Sequence, residues 1–194
     1  MKKFQRQDLY SLEQYAELRN DFRQEVMQHK HNRRLELGPN AVLYFEDRLT
    51  MQYQIHEMLR IERIFEPAGI AEELATYNPL IPDGCNWKAT FMIEYPDASE
   101  RDVMLHQLVG IESHVWLQVG EWDVIRPIAD EDLERSNEEK TSAVHFLRFE
   151  LPAEQIIALK GGESLAAGID HENYQAKVRP VADNIRNSLI QDLD

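Results

Sequence analysis

The chain has 194 residues and carries 35 Asp and Glu against 21 Lys and Arg, a formal net charge of −14. Its hydrophobic fraction of 43% and charged fraction of 29% are typical of a folded globular protein, which excludes the disordered class. The length predicts one domain, residues 1–194, with a helical part over about 1–80 and a sheet-rich part over about 87–194.

Several functional classes are excluded by the same reading. The apolar runs are far shorter than the roughly 20 residues of a membrane span, so we expect no membrane partner. The first residues lack the apolar segment of a secretory signal, and the single Cys85 excludes an internal disulfide, so we expect a cytoplasmic protein. The acidic balance disfavours a nucleic-acid partner, because it repels phosphate.

The N-terminal part predicts helices around one strand. Ser11 and Gln14 have the spacing of a capping box, which indicates a helix from about Leu12 into the basic residues that follow position 29. The other predicted elements here are a strand at Ala41–Phe45, helices at Thr50–Phe65 and Gly69–Tyr77, and a loop at Asn78–Gly84.

The C-terminal part predicts mostly short strands. The predicted elements are a strand at Lys88–Tyr95, a helix capped by Asp97, a hairpin of His114–Val119 with Trp122–Ile128, a charged and mobile loop at Ala129–Lys140, a strand at Ser142–Leu151, a helix at Pro152–Lys160, a hairpin of Leu165–Asp170 with Tyr174–Arg179, and a helix at Val181–Leu193. The fold class is therefore α+β: N-terminal helices packed on a mostly antiparallel sheet, with a C-terminal helix.

One basic cluster stands out. Residues 1–66 contain eleven basic and eleven acidic side chains, so their net charge is zero. The entire net negative charge of the chain therefore falls in residues 67–194. The neutral half holds Lys30-His31-Asn32-Arg33-Arg34, the only dense basic run. We expect Arg33 and Arg34 to bind a protein partner or the acidic part of a second copy.

The helix at Thr50–Phe65 is the other candidate for binding. Gln52, His56, Arg60 and Arg63 recur at helical spacing, and Glu57 lies three residues before Arg60, where an ion pair can form. The face is either a surface with its own salt bridges or an anion-binding groove; its candidate residues are Glu57, Arg60, Glu62 and Arg63. The run His56-Glu57-x-x-Arg60 resembles a zinc protease motif only weakly, because arginine does not bind metal.

Histidines provide the alternative function. His114, His145 and His171 lie in or beside predicted strands, and with Glu57 or Glu112 they could hold a metal ion; His56 is a further candidate ligand. The simpler alternative is that each is a hydrogen-bonded structural residue. No motif indicates a cofactor, so none is predicted beyond a divalent metal in this alternative.

Four segments together carry a family resemblance: Leu37–Asn40, Glu57–Ile64, Tyr77–Pro82 and Ser142–Phe149. The chain resembles the bacterial domain-of-unknown-function family 3501 nearly from end to end. The family has no assigned activity, and Gln can stand where His56 stands here. Genes for rubrerythrin-like proteins and iron–sulfur oxidoreductases often lie near its members, which implies an accessory role in oxidative-stress or electron-transfer metabolism.

Two main hypotheses follow for function, beside a third, a pH- or metal-responsive regulator. The first is a cytoplasmic accessory or binding protein that acts through the basic cluster and the polar helix face. The alternative is a small metal-dependent enzyme, hydrolase-like, that uses a site built from His145, His114 and Glu57.

Overall fold

A computed structural model describes residues 2–194 and contains six α-helices and eight strands in two antiparallel sheets. The predicted α+β class is confirmed. The architecture differs from the expected one in that the strands form two sheets, not one.

Three helices form most of the N-terminal part: α1 (Leu12–His31), α2 (Arg48–Ile61) and α3 (Pro67–Tyr77). The predicted capping box of α1 is present, since the Ser11 hydroxyl accepts from the Gln14 amide and the Gln14 side chain accepts from Ser11. Helix α2 starts earlier than predicted because Asp47 caps it. It also ends earlier, at Ile61, and the backbone of Arg63 turns to a left-handed φ of 56°.

The larger sheet has the strand order β1 (Arg34–Glu36), β2 (Ala41–Glu46), β3 (Asn86–Ile93), β6 (Val144–Glu150) and β5 (Ile128–Ala129). Alternation along β3 and β6 gives the sheet two different faces. Trp87, Phe91, Leu147 and Phe149 are buried on the inner face. The outer face is half-buried, because the N-terminal helices cover only part of it.

The smaller sheet has the order β4 (Val115–Val119), β7 (Leu165–His171) and β8 (Tyr174–Val178). The predicted β7–β8 hairpin is confirmed. The predicted hairpin at Gly120 forms only in part: the chain turns back and makes a single antiparallel bridge between Leu117 and Ile125, but Ile128 belongs to β5 and pairs with β6. The apolar strand β7 pairs along the full length of β4 on its other edge, because Leu117 directs its N–H and C=O to Ile125 and not to β7.

One apolar core joins the two sheets and three further helices, α4 (Ala98–Gln107), α5 (Ala153–Lys160) and α6 (Asp183–Ile190). The indole of Trp87 donates to the carbonyl of Leu189, which fixes α6 against this core. A second, smaller cluster packs α2 against α3. No helix within residues 2–194 has the length and apolar character needed to cross a membrane.

Candidate functional site

A cavity of about 640 Å³ lies on the outer face of the five-stranded sheet. Strands β3 and β6 form its floor, the end of α3 forms one side, and the loop after β5 forms the other. Its volume falls in the range of roughly 300–1,000 Å³ that small-molecule sites occupy. The helix-covered sheet therefore leaves room for a ligand beside α3.

The walls of the cavity are largely apolar. Tyr77, the last residue of α3, and Leu80 line one side of the cavity. Phe146 lies on the floor, and Leu133 lies on the opposite loop. The guanidinium of Arg135 lies 4.5 Å from the centre of the Phe146 ring, at the distance of a cation–π contact. These side chains form an apolar chamber with cationic groups at its edge.

Lys88 is the distinctive charged residue of the floor. It is half-buried on β3, and burial together with the adjacent charge of Arg148 lowers the pKa of its ammonium. Glu131, Asp83 and Glu150 also act on this charge, but the two glutamates form ion pairs with Arg148 and Asp83 accepts from Cys85. Within residues 2–194, Lys88 has no salt-bridge partner of its own.

The wall that carries Leu133 and Arg135 is held by Asp130. Its backbone has a left-handed φ of 52°, a conformation uncommon for residues other than glycine. Its carboxylate accepts from the Phe146 amide at 2.9 Å and contacts Nδ1 of His145 at 2.6 Å, and it also receives Arg135 at 3.3 Å. Asp130 therefore joins the loop to strand β6 and to the cation above Phe146. The first half of the loop is therefore held by hydrogen bonds and an ion pair that its sequence did not predict.

Behind the wall, His145 is fully buried in a polar network. Its Nε2 lies 2.9 Å from the hydroxyl of Thr141 and 3.0 Å from the carbonyl of Ser142, while its Nδ1 faces Asp130. Both ring nitrogens are therefore engaged by neighbouring polar groups. His145 thus supports the wall and is not a metal ligand in this arrangement.

The predicted cluster on α2 is present but is closed by its own contacts. The Glu57 carboxylate accepts from Arg19 at 2.8 and 2.9 Å, from Arg60 at 3.1 Å and from the Tyr15 hydroxyl at 2.8 Å. These hydrogen bonds, Arg19 first, hold the pKa of Glu57 well below its usual range. The predicted pairing of Glu57 with Arg60 is confirmed; Arg19, which lies on α1, was not predicted.

The rest of that predicted helix face does not form. Glu62 caps the C-terminus of α2, and Arg63 lies beyond the helix with a different backbone conformation. His56 is buried between the rings of Tyr10 and Tyr15, with centroid distances of 5.3 and 4.6 Å. Burial lowers the pKa of His56 to about 4, so the ring is neutral and part of the packing.

The basic cluster is not the exposed surface that its sequence predicts. Arg33 is only 2% exposed and forms a buried ion pair with Asp192, while also donating to the carbonyl of Phe45. Arg34 is in β1 and pairs with Glu36. The correction has a physical reason, because the chain leaves the helix at Asn32 and turns Arg33 inwards, where two carboxylates compensate it.

The predicted metal site is not assembled. His114 and His171 pack ring against ring at 5.1 Å, but they bind Asp170 and the Val109 carbonyl, while His145 belongs to the network behind the cavity. Residues 2–194 contain no group of three or more His, Cys, Asp or Glu side chains placed to hold a metal ion. The prediction that these histidines converge is wrong, because His145 lies on β6 of the larger sheet, whereas His171 lies on β7 of the smaller sheet and His114 directly precedes β4.

The cavity residues Lys88, Arg135 and Phe146 were not predicted as a site. Alternation along the strand at residues 142–151 correctly placed Phe146 and Arg148 on one face. Nothing in the local sequence, however, indicates that α3 and the Asp130 loop stand on either side of that face.

Comparison with known proteins finds a family and a solved structure that are both described as of unknown function. The family described as "Protein of unknown function (DUF3501)" matches residues 3–193. A crystal structure of a "novel protein of unknown function" from Burkholderia pseudomallei K96243 has a TM-score of 0.94 and 46% sequence identity, with 100% of each chain covered. No curated protein matches the chain. Neither match carries a role in oxidative stress, electron transfer or metal catalysis.

Proposed function

The chain belongs to the DUF3501 family of proteins of unknown function, and from that premise we propose that it is a binding protein whose small-molecule ligand occupies the cavity between α3 and the outer sheet face. The observation that carries the proposal is an apolar chamber of about 640 Å³ with three cationic side chains at its floor and edge. Apolar walls with a few placed polar groups are the usual composition of ligand sites.

The positions of the walls favour a preformed site. Strands β3 and β6 are central in their sheet, so the floor is rigid. Asp130 ties the opposite wall to the amide of Phe146 and to the buried His145. A site whose walls are held before the ligand arrives loses less conformational entropy on binding.

The accessory role takes a more specific form in this proposal. The protein binds a ligand and presents it or withholds it, and the reaction is left to another protein. The proposal requires no cofactor. Association with a protein partner or a second copy stays a prediction, as does the cytoplasmic location.

The test is a screen of neutral and charged aromatic fragments by two-dimensional ¹H–¹⁵N NMR. At about 1 mM each, a concentration that detects weak complexes, some fragments should shift the amides of β3, β6 and the Asp130 loop in a saturable way. The variant Ala75→Trp fills the cavity from α3 and should weaken these fragments by about tenfold, because Ala75 lines the cavity.

The matched control is Ala71→Trp, one turn earlier on the same helix and also exposed, but not in the cavity lining. It should leave the affinities unchanged. The proposal is wrong if no fragment shifts the cavity amides, or if both tryptophan variants weaken binding equally.

A further inference from the structure

One cation of the cavity, Lys88, forms no ion pair within residues 2–194, whereas each of the two arginines pairs with two carboxylates. Its lining contains the cations Lys88, Arg135 and Arg148 and the anions Glu131 and Asp132. Arg135 pairs with Asp132, and Arg148 pairs with Glu131. Lys88 therefore remains as the cation without a counter-ion in the lining, in a protein with a formal net charge of −14.

We infer that the ligand is a monocarboxylate with an apolar body, whose carboxylate pairs with Lys88 and whose body lies against Phe146, Tyr77 and Leu80. This inference rests on the proposed function and names the ligand class of the same site. A half-buried ammonium has lost part of its hydration, and an anion that enters the cavity would replace it.

The ligand's charge follows from the same pairing. A second negative charge would meet Glu131 and Asp132, which already neutralise the two arginines. A dianion such as a phosphate monoester would therefore be repelled by carboxylates that a monoanion avoids. The cavity fits one carboxylate better than a phosphate.

The body of the ligand follows from the walls. Arg135 covers one side of the Phe146 ring, and Tyr77 and Leu80 add apolar surface to the lining of the same cavity. The apolar surface exceeds what a short acid such as acetate could cover, so the ligand needs an aromatic or branched body to displace water from it.

Three probes of equal ring size separate the ligand classes: 2-naphthoate, the neutral 2-naphthamide, and the dianionic 2-naphthyl phosphate. Their affinities for the full chain are measured by calorimetry or NMR titration. Naphthoate should bind at least about tenfold more tightly than either of the others. Equal affinity for naphthoate and naphthamide, or tighter binding of the phosphate, would overturn the inference without any variant.

Variants at Lys88 test the assigned partner. Lys88→Met keeps the apolar stem and should abolish the preference for naphthoate over naphthamide, whereas Lys88→Arg should retain it. Lys177→Met, an exposed lysine on β8, is the matched control and should change nothing. If Lys88→Met does not fold, Lys88→Gln takes its place. A preference for naphthoate that survives loss of the Lys88 charge also overturns the inference.

These outcomes distinguish a wrong ligand class from a wrong binding function. If neutral fragments bind in the cavity and naphthoate shows no preference, the binding function stands and the ligand class is wrong. If no fragment binds there, the proposed function itself is wrong.

Discussion

The cluster around Glu57 and the cavity around Lys88 both place a charged side chain out of full contact with water, but they compensate it differently. Glu57 receives two guanidinium groups and a phenol hydroxyl from α1 and α2. Lys88 forms no ion pair within residues 2–194, since Glu131 and Glu150 pair with Arg148 and Asp83 accepts from Cys85. The first arrangement holds helices together; the second leaves a charge for something else to meet.

The difference teaches which charged residues of this protein serve stability. A charge with every partner inside the fold contributes to stability, and its removal strands those partners. A charge without a partner costs stability, and natural proteins keep such costs mainly at functional positions. The comparison predicts opposite signs for mutations in the two regions.

The largest expected effect is at Glu57. Glu57→Ala leaves Arg19, Arg60 and the Tyr15 hydroxyl without their shared acceptor, and it should reduce the free energy of unfolding by about 3 kcal/mol. Urea denaturation measures this directly. A loss below about 1 kcal/mol would mean that the cluster acts as an ordinary surface ion pair, and the contrast with Lys88 would fail.

The next largest effect is the loss of folding stability that His56 causes as the pH falls. Its folded pKa of about 4 lies below the ordinary value of 6.5, so the unfolded chain binds a proton first as the pH falls. The stabilisation is complete above pH 6.5 and is lost progressively towards pH 4, with a loss of about 2 kcal/mol between pH 7 and 5.

The measurement is the difference in denaturation free energy at the two pH values for the native chain and for His56→Gln. Glutamine does not titrate, so the variant should lose about 2 kcal/mol less than the native chain over this interval. Equal losses in both proteins would show that the acid sensitivity lies elsewhere.

Asp130 tests the wall of the cavity. Asp130→Asn keeps a side-chain acceptor for the Phe146 amide, and asparagine tolerates a left-handed φ as aspartate does. The lost charge weakens the contacts to His145 and Arg135, so we expect a loss of about 1 kcal/mol and weaker fragment binding. Asp123→Asn, at an exposed loop aspartate outside this network, is the control for both measurements. Unchanged fragment affinity would remove Asp130 from the support of the site.

Arg60 should matter much less than Glu57. Its side chain is 41% exposed and Arg19 still holds the carboxylate when Arg60 is absent, so Arg60→Ala should cost under about 1 kcal/mol. A double-mutant cycle with Arg19→Ala is the sharper test. Strictly additive losses would show that the two arginines do not share Glu57.

The smallest expected effect has the opposite sign. Lys88→Met removes a half-buried charge without stranding a partner, so it should leave the free energy of unfolding unchanged or raise it by about 0.5 kcal/mol. Thermal denaturation of this variant beside Lys177→Met is sufficient. A clear destabilisation would place Lys88 with Glu57 as a structural charge.

Much of the secondary structure could be predicted because its signals are local. The Ser11–Gln14 capping box, Pro67 at the first turn of α3, and the alternation in β6 each depend on residues a few positions apart. The hairpin at Gly120 was met only in part. Its local turn signal does fold the chain back to bridge Leu117 with Ile125, but the main partner of β4 is β7, which begins 45 positions after Gly120 and lies beyond the reach of local signals.

The sequence by itself determined the α+β class, the helix caps and the ion pair of Glu57 with Arg60, since these follow from spacing along the chain, and the family, which follows from the resemblance of four segments. Only the tertiary structure decided which charges are compensated. Arg33 pairs with Asp192, which is 159 positions away in the sequence. Arg148 pairs with Glu131 and Glu150, so neither glutamate pairs with Lys88. An ion pair depends on distances of a few ångströms, and those distances are set by how sheets and helices pack, so a charge's role cannot be assigned from its neighbours in sequence.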